Sequence, residues 1–166
     1  MSERGLSLDD LEAASVAAGS LRGRNVVVLG GGRTGQATAA YAAAAGAAVT
    51  VHDTDPIERV VGAADAFAGG AIRVSFGDAE NLAPLLADAD LVVHSPAVTL
   101  GFPTVRPSVE RDLRAFAARA VPLVGGRGSR GPLLISEPEW ALRLLGTRWR
   151  VGVTGTKGKS TTSNLI

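Results

Sequence analysis

The chain has 166 residues, 17 Lys and Arg against 16 Asp and Glu, a net charge of +1, 46% hydrophobic residues, 21 glycines and no cysteine. That length suits one ordinary domain, able to bury roughly 70% of its unfolded surface without disulfides or structural metal. The absence of cysteine excludes thiolate catalysis, cysteine-bound zinc and disulfide scaffolds, and the balanced charge argues against a broad nucleic-acid or anionic-membrane surface.

The first residues, MSERGLSLDDLEAAS, mix charges of both signs without a long apolar run, so they read as neither secretory signal nor transit peptide, and a cytoplasmic location is expected. Asn25-Val26-Val27-Val28-Leu29 is a β-branched run stopped by Gly30-Gly31-Gly32, the pattern of a strand buried on both faces. A helix is expected over 36–45; its alanines suit close packing, and the stretch is too short to cross a bilayer. The spacing predicts a strand over 48–52, closed by Asp53-Thr54-Asp55-Pro56, where Pro56 can open a helix at its first turn. It then predicts a strand over 71–75, a helix over 80–87, a strand over 90–94 ending at Ser95-Pro96, and a helix over 106–119. A strand follows over 121–124. This alternation predicts an α/β fold, doubly wound around a mainly parallel sheet. Residues 125–132 are dense in turn formers and read as an exposed loop. Apolar spacing resumes over 133–145, Gly146-Thr147 breaks it, and 148–153 reads as one more strand leading into a new unit.

Two glycine-rich loops carry the chemistry. Gly30-Gly31-Gly32-Arg33-Thr34-Gly35 satisfies G-x-G-x-x-G between a strand and a helix, where glycines permit a tight turn and the helix N-terminus offers free N–H groups to a phosphate. Asp53, ending the next strand, is placed to accept from a ribose or base. The plainer alternative is that the glycines serve packing and Asp53 caps the helix after Pro56. NAD and UDP-sugars can both lay a diphosphate on such a turn. The second loop, Thr154-Gly155-Thr156-Lys157-Gly158-Lys159-Ser160-Thr161, holds the only two lysines and the Gly-Lys-Ser core of a phosphate-binding loop, although Val153 occupies the template's first glycine position. Its backbone amides suit phosphate oxygens, Lys159 the β/γ-phosphates and the Ser160 hydroxyl Mg²⁺. His52 and His94 end predicted strands, where ligands bind in open α/β sheets; without further ligands they read as structural or substrate-edge groups rather than a metal pair. The acid pairs Asp53/Asp55 and Glu137/Glu139 read as turn and helix-start residues.

Val28-Leu29 with the first loop, His52-Asp53-Thr54, Val93-His94-Ser95-Pro96-Ala97 and the second loop, in this order, resemble the Mur ligases, ATP-dependent amide-forming enzymes of peptidoglycan precursor synthesis. The resemblance covers nearly the whole chain and is greatest to the MurD type, which adds glutamate to UDP-N-acetylmuramoyl-L-alanine. It implies a Rossmann-like UDP-substrate domain over 1–147, followed over 148–166 by the first strand, phosphate loop and helix start of a truncated ATP-binding domain. By resemblance Arg33, Thr34, Asp53 and Thr54 contact uridine or diphosphate around the Gly30, Gly32 and Gly35 turn, and Ser95-Pro96-Ala97 closes the site. Gly155, Thr156, Lys157, Gly158, Lys159, Ser160 and Thr161 form the ATP loop, with Lys159 and Ser160 as its catalytic pair and Ser160 on Mg²⁺. The implied reaction moves the ATP γ-phosphoryl group to the alanine carboxylate, and the glutamate amine attacks the acyl phosphate, a transfer that depends on positioning and charge neutralisation.

ATP and Mg²⁺ are the implied cofactors, and UDP-N-acetylmuramoyl-L-alanine and glutamate the small-molecule partners, with neither nucleic acid nor membrane. A chain this short is expected not to turn over alone. Ala97 departs from the glycine common in the MurD type, which would restrict close backbone approach to the ligand, and Lys157 stands where Asn is common, a lysine that by itself resembles the branch adding L-glutamate. Two alternatives compete: an NAD(P)-dependent oxidoreductase, which leaves the second loop without a role, and a non-catalytic nucleotide-sugar binding module.

Overall fold

The computed structural model describes residues 5–77, 82–98, 100–101, 105–122 and 129–146. A 3₁₀ turn (Leu8–Leu11) and a short helix α1 (Ala13–Ala17) come first, unforeseen by the spacing, followed by β1 (Asn25–Leu29), α2 (Arg33–Ala44) and β2 (Ala48–Asp53). A 3₁₀ turn after Pro56 (Ile57–Arg59) leads to α3 (Ala63–Phe67), β3 (Arg73–Phe76), α4 (Ala83–Leu86), β4 (Leu91–His94) and α5 (Pro107–Ala117). The chain continues as β5 (Val121–Pro122), β6 (Ser129–Arg130), β7 (Leu133–Ser136) and α6 (Glu137–Leu144).

Five strands form one parallel sheet in the order β3-β2-β1-β4-β7, with Val26 paired to Val49 on one side and to Leu91 on the other. The central strands are buried on both faces, as their unbroken Val and Leu runs require. On one face Val26, Val28, Val51 and Val93 pack with Ala39 and Ala42 of α2, Phe67 of α3 and Trp140 of α6. On the other, Val27, Leu29 and Val92 pack with Leu86 of α4 and with Val109, Leu113 and Phe116 of α5. The alanines of α2 act as small contacts, fully buried at positions 39 and 42, that bring the helix close to the sheet.

Three expectations are corrected. Of the stretch 121–124, the described residues Val121 and Pro122 do not join the main sheet but pair antiparallel with Arg130 and Ser129, and 123–124 lie outside the described residues. Pro122 has no N–H to give a central ladder. The apolar stretch 133–145 divides in two, and its first four residues supply the fifth parallel strand, Val93 pairing with Ile135. Ser136 marks the division, accepting from the Glu139 N–H at 3.3 Å as the N-cap of α6, with Pro138 in the first turn. Finally, α2 starts at Arg33, three residues before the expected position, so the loop's last residues are already helical.

Candidate functional site

The sheet order reverses beside β1: the chain passes from β1 to β2 on one side and later places β4 on the other. In open α/β sheets this switch point opens a crevice at the strands' carboxyl ends. Here the crevice is a cavity of about 290 Å³, lined by Gly30, Asp53, Thr54, Ser95, Ala97 and Arg106 together with Leu29, His52, Leu82, Val98, Val105 and Val109.

The loop at its edge is braced from several sides. Gly30 turns at φ +113°, a conformation only glycine adopts freely, while its N–H donates to the His52 carbonyl at 2.8 Å. The Gly31 N–H donates to Asp53 Oδ2 at 2.7 Å, and the Asp55 N–H to Oδ1 of the same carboxylate at 3.0 Å. Gln36 Nε2 donates to the carbonyls of Gly31 and Val61, both at 2.9 Å. A side chain on Gly35 would overlap the Gly30 carbonyl oxygen, so this glycine sets how closely α2 packs on the turn. Gly32 differs: it is the N-cap of α2 in ordinary extended backbone, and a Cβ there would meet nothing within 4 Å. No side chain caps α2, and among the described residues none accepts from the amides of Arg33, Thr34 or Gly35. Such an end attracts an anion through free donors and the helix dipole together.

Across the crevice, the Ser95 N–H donates to the Leu29 carbonyl at 2.9 Å and Ser95 Oγ accepts from the Ala97 N–H at 3.3 Å, which ties the Ser95-Pro96-Ala97 turn to β1. His94 is 8% exposed, its Nδ1 3.0 Å from the Ser95 carbonyl. His52 is 4% exposed; its Nδ1 lies 3.2 Å from Ser75 Oγ and its Nε2 has no partner. Burial lowers the His52 pKa below its usual 6.5, against the Ser75 hydrogen bond and the Asp53 charge, which raise it. A buried imidazole so held is neutral at physiological pH.

Of the residues expected to hold UDP, Gly30, Asp53, Thr54, Ser95 and Ala97 meet in the cavity lining. Gly32, Arg33 and Thr34 stand exposed at the start of α2, Gly35 is buried under the turn, and Pro96 is exposed beyond β4. The Asp53 carboxylate grips the loop and its own turn, so the capping alternative is corrected: neither hydrogen bond reaches the helix after Pro56. Sequence reasoning missed the apolar wall from Leu82, Val98, Val105 and Val109, which comes from separate elements and has no motif to announce it. Residues 147–166, and with them Gly155, Thr156, Lys157, Gly158, Lys159, Ser160 and Thr161, lie outside the described residues.

Residues 9–101 match the family described as alanine dehydrogenase/PNT, C-terminal domain, and the chain belongs to that domain family. The match spans β1 to β4 and includes the loop and the Ser95 turn. Over a longer stretch the chain is 37% identical to the UDP-N-acetylmuramoylalanine--D-glutamate ligase of Anaeromyxobacter dehalogenans, across 90% of this chain and 28% of that protein. It is 39% identical to the UDP-N-acetylmuramoyl-L-alanine--L-glutamate ligase of Salinispora tropica, across 88% and 28% respectively. A third relative, the D-glutamate ligase of Syntrophotalea carbinolica, is 37% identical across 87% of the chain and 27% of its own length. The chain belongs to the Mur ligase family. It spans little more than a quarter of the length of these Mur ligases. Within the described residues of this Mur ligase chain no helix is long and apolar enough to cross a membrane, and no three His, Asp or Glu gather into a metal site.

Proposed function

We propose that the chain forms the UDP-substrate site of a cytoplasmic ligase that joins glutamate to UDP-N-acetylmuramoyl-L-alanine with ATP in peptidoglycan precursor synthesis. The observation that carries the reading is the uncapped first turn of α2, opening through Gly32 beside a cavity at the switch point, in a chain whose relatives are named for a UDP-linked substrate. The diphosphate takes the amides of Gly32, Arg33 and Thr34, and the uridine takes the cavity between Asp53, Thr54 and the Ser95-Pro96-Ala97 turn. On sequence alone, the loop 154–161 is assigned to ATP, with Lys159 on its phosphates and Ser160 on Mg²⁺. The reaction assigned to the longer protein proceeds through an acyl phosphate of the alanine carboxylate. Relatives named for D- and L-glutamate are 37% and 39% identical, a difference that does not choose the enantiomer.

The domain family's name favours a second reading, a dinucleotide site of an oxidoreductase on the same loop. Titration calorimetry of the 166-residue chain with UDP, UDP-N-acetylmuramoyl-L-alanine and NAD separates the two. The UDP ligands bind more tightly; equal or tighter binding of NAD would overturn the ligase reading.

A further inference from the structure

Glu137 is the first residue of α6, directly after β7, and only 7% of it is exposed. Its Oε1 is buried without a hydrogen-bond partner among the described residues. It lies 3.4 Å from where a Cβ on Gly35 would stand, a point that also abuts the Gly30 carbonyl, so the carboxylate sits directly behind the glycine turn and the first turn of α2. Buried carboxylates ordinarily have a cation or several donors.

The charged and titratable groups on the surrounding elements are otherwise engaged or turned outward. On α6, Arg143 pairs with Glu139 at 3.2 Å and with Glu12 at 3.3 Å. In the Leu8–Leu11 turn, Asp10 accepts from Ser7 and Asp9 is exposed. On β4, His94 faces the Ser95 carbonyl. On α2, Tyr41 meets the Trp140 ring edge-on, and Arg33 is exposed with no ion pair among the described residues. Glu137 therefore places a carboxylate, its Oε1 without a partner among the described residues, behind the one helix end that we assign to a diphosphate.

We infer that Glu137 is a specificity-determining charge filter: it makes the α2 terminus favour a diphosphate esterified at both ends, as in a nucleotide sugar, over a nucleoside diphosphate with a free terminal phosphate. The inference rests on the diphosphate reading above. The helix end offers only about half a positive charge, which Glu137 already draws on. Each phosphate of a diester brings one negative charge, whereas a free terminal phosphate, with its second pKa near 6, brings about one more at pH 7.5. The filter favours the ligand that still carries its sugar over the bare diphosphate.

The test is calorimetry of the 166-residue chain and its Glu137→Gln and Glu137→Asp variants at pH 7.5 with UDP and UDP-N-acetylglucosamine, after thermal melts have established folding. Glu137→Gln tightens UDP about tenfold and the diester about threefold or less, while Glu137→Asp keeps the original ratio. Equal changes for both ligands, or a loss for both, overturn the filter and leave the diphosphate site standing. If neither ligand binds the folded original chain, the diphosphate reading itself fails, and the filter with it. Should Glu137→Gln not fold, the original chain decides. Lowering the pH from 7.5 to 5.5 removes charge from UDP alone of the two ligands, so a filter tightens UDP relative to the diester, whereas an ordinary anion site weakens it.

Discussion

His52 links the cavity to the pH response of the fold. Burial holds its pKa below 6.5, so at slightly acidic pH the unfolded chain binds a proton that the folded chain refuses. Its contribution to stability is complete above about 6.5 and is lost as the pH falls from there towards the lowered folded value. Urea unfolding at pH 7.5 and 5.5 checks this: the original chain loses stability on acidification, and His52→Leu reduces the loss. An equal loss in both would show that the imidazole is not what titrates. Because Nε2 has no partner among the described residues, it is also a hydrogen-bonding atom of a cavity-lining residue not committed elsewhere. Its place at the end of the Ala48–Asp53 strand was legible, but its isolation was not, since neighbours from other elements decide it.

At the scale of elements, the last two glycines of the loop have opposite reasons to be glycine. Gly35→Ala forces a methyl against the Gly30 backbone and is expected to cost about 1–3 kcal/mol, read as a lower melting temperature. Gly32→Ala meets open space and costs about 1 kcal/mol or less, the loss of a tolerated N-cap. It nevertheless weakens UDP binding about tenfold, because the added methyl stands where a phosphate reaches the amides of α2. Normal UDP binding by Gly32→Ala would move the phosphate away from this helix. The sequence pattern G-x-G-x-x-G placed all these residues on one turn without telling the two roles apart. Strands β1 and β4 were legible because a strand buried on both faces reads as an apolar run, whereas β2 shows itself by Val49 and Val51 buried on either side of Thr50. β7 was hidden because LLIS runs straight into an amphipathic helix with no loop between them, and only Ser136 with Pro138 two residues on marks the boundary. Asp53 lies in the cavity lining, yet its bond to the Gly31 N–H depends on a close approach of two loops 22 residues apart that no local spacing encodes.

For the whole molecule, the two glycine-rich loops are assigned separate ligands, and that separation can be tested in the longer protein. Lys159→Ala abolishes ATP-dependent phosphate release with UDP-N-acetylmuramoyl-L-alanine and glutamate, acting mainly on kcat because phosphate charge redistributes in the transition state. Binding of the UDP substrate stays nearly unchanged, and near-normal turnover would show that the 154–161 loop is not the ATP site. The described residues are joined across their sequence as well as along the sheet. Leu6 bridges to Gly131, the Trp140 indole N–H donates to the Leu11 carbonyl at 3.3 Å, and Arg143 pairs with Glu12. Leu6 and Leu11, both buried in the finished fold, therefore complete their packing only once residues some 130 positions later are present. In folding, this segment therefore docks late, and its leucines stay open to solvent until Trp140 is in place.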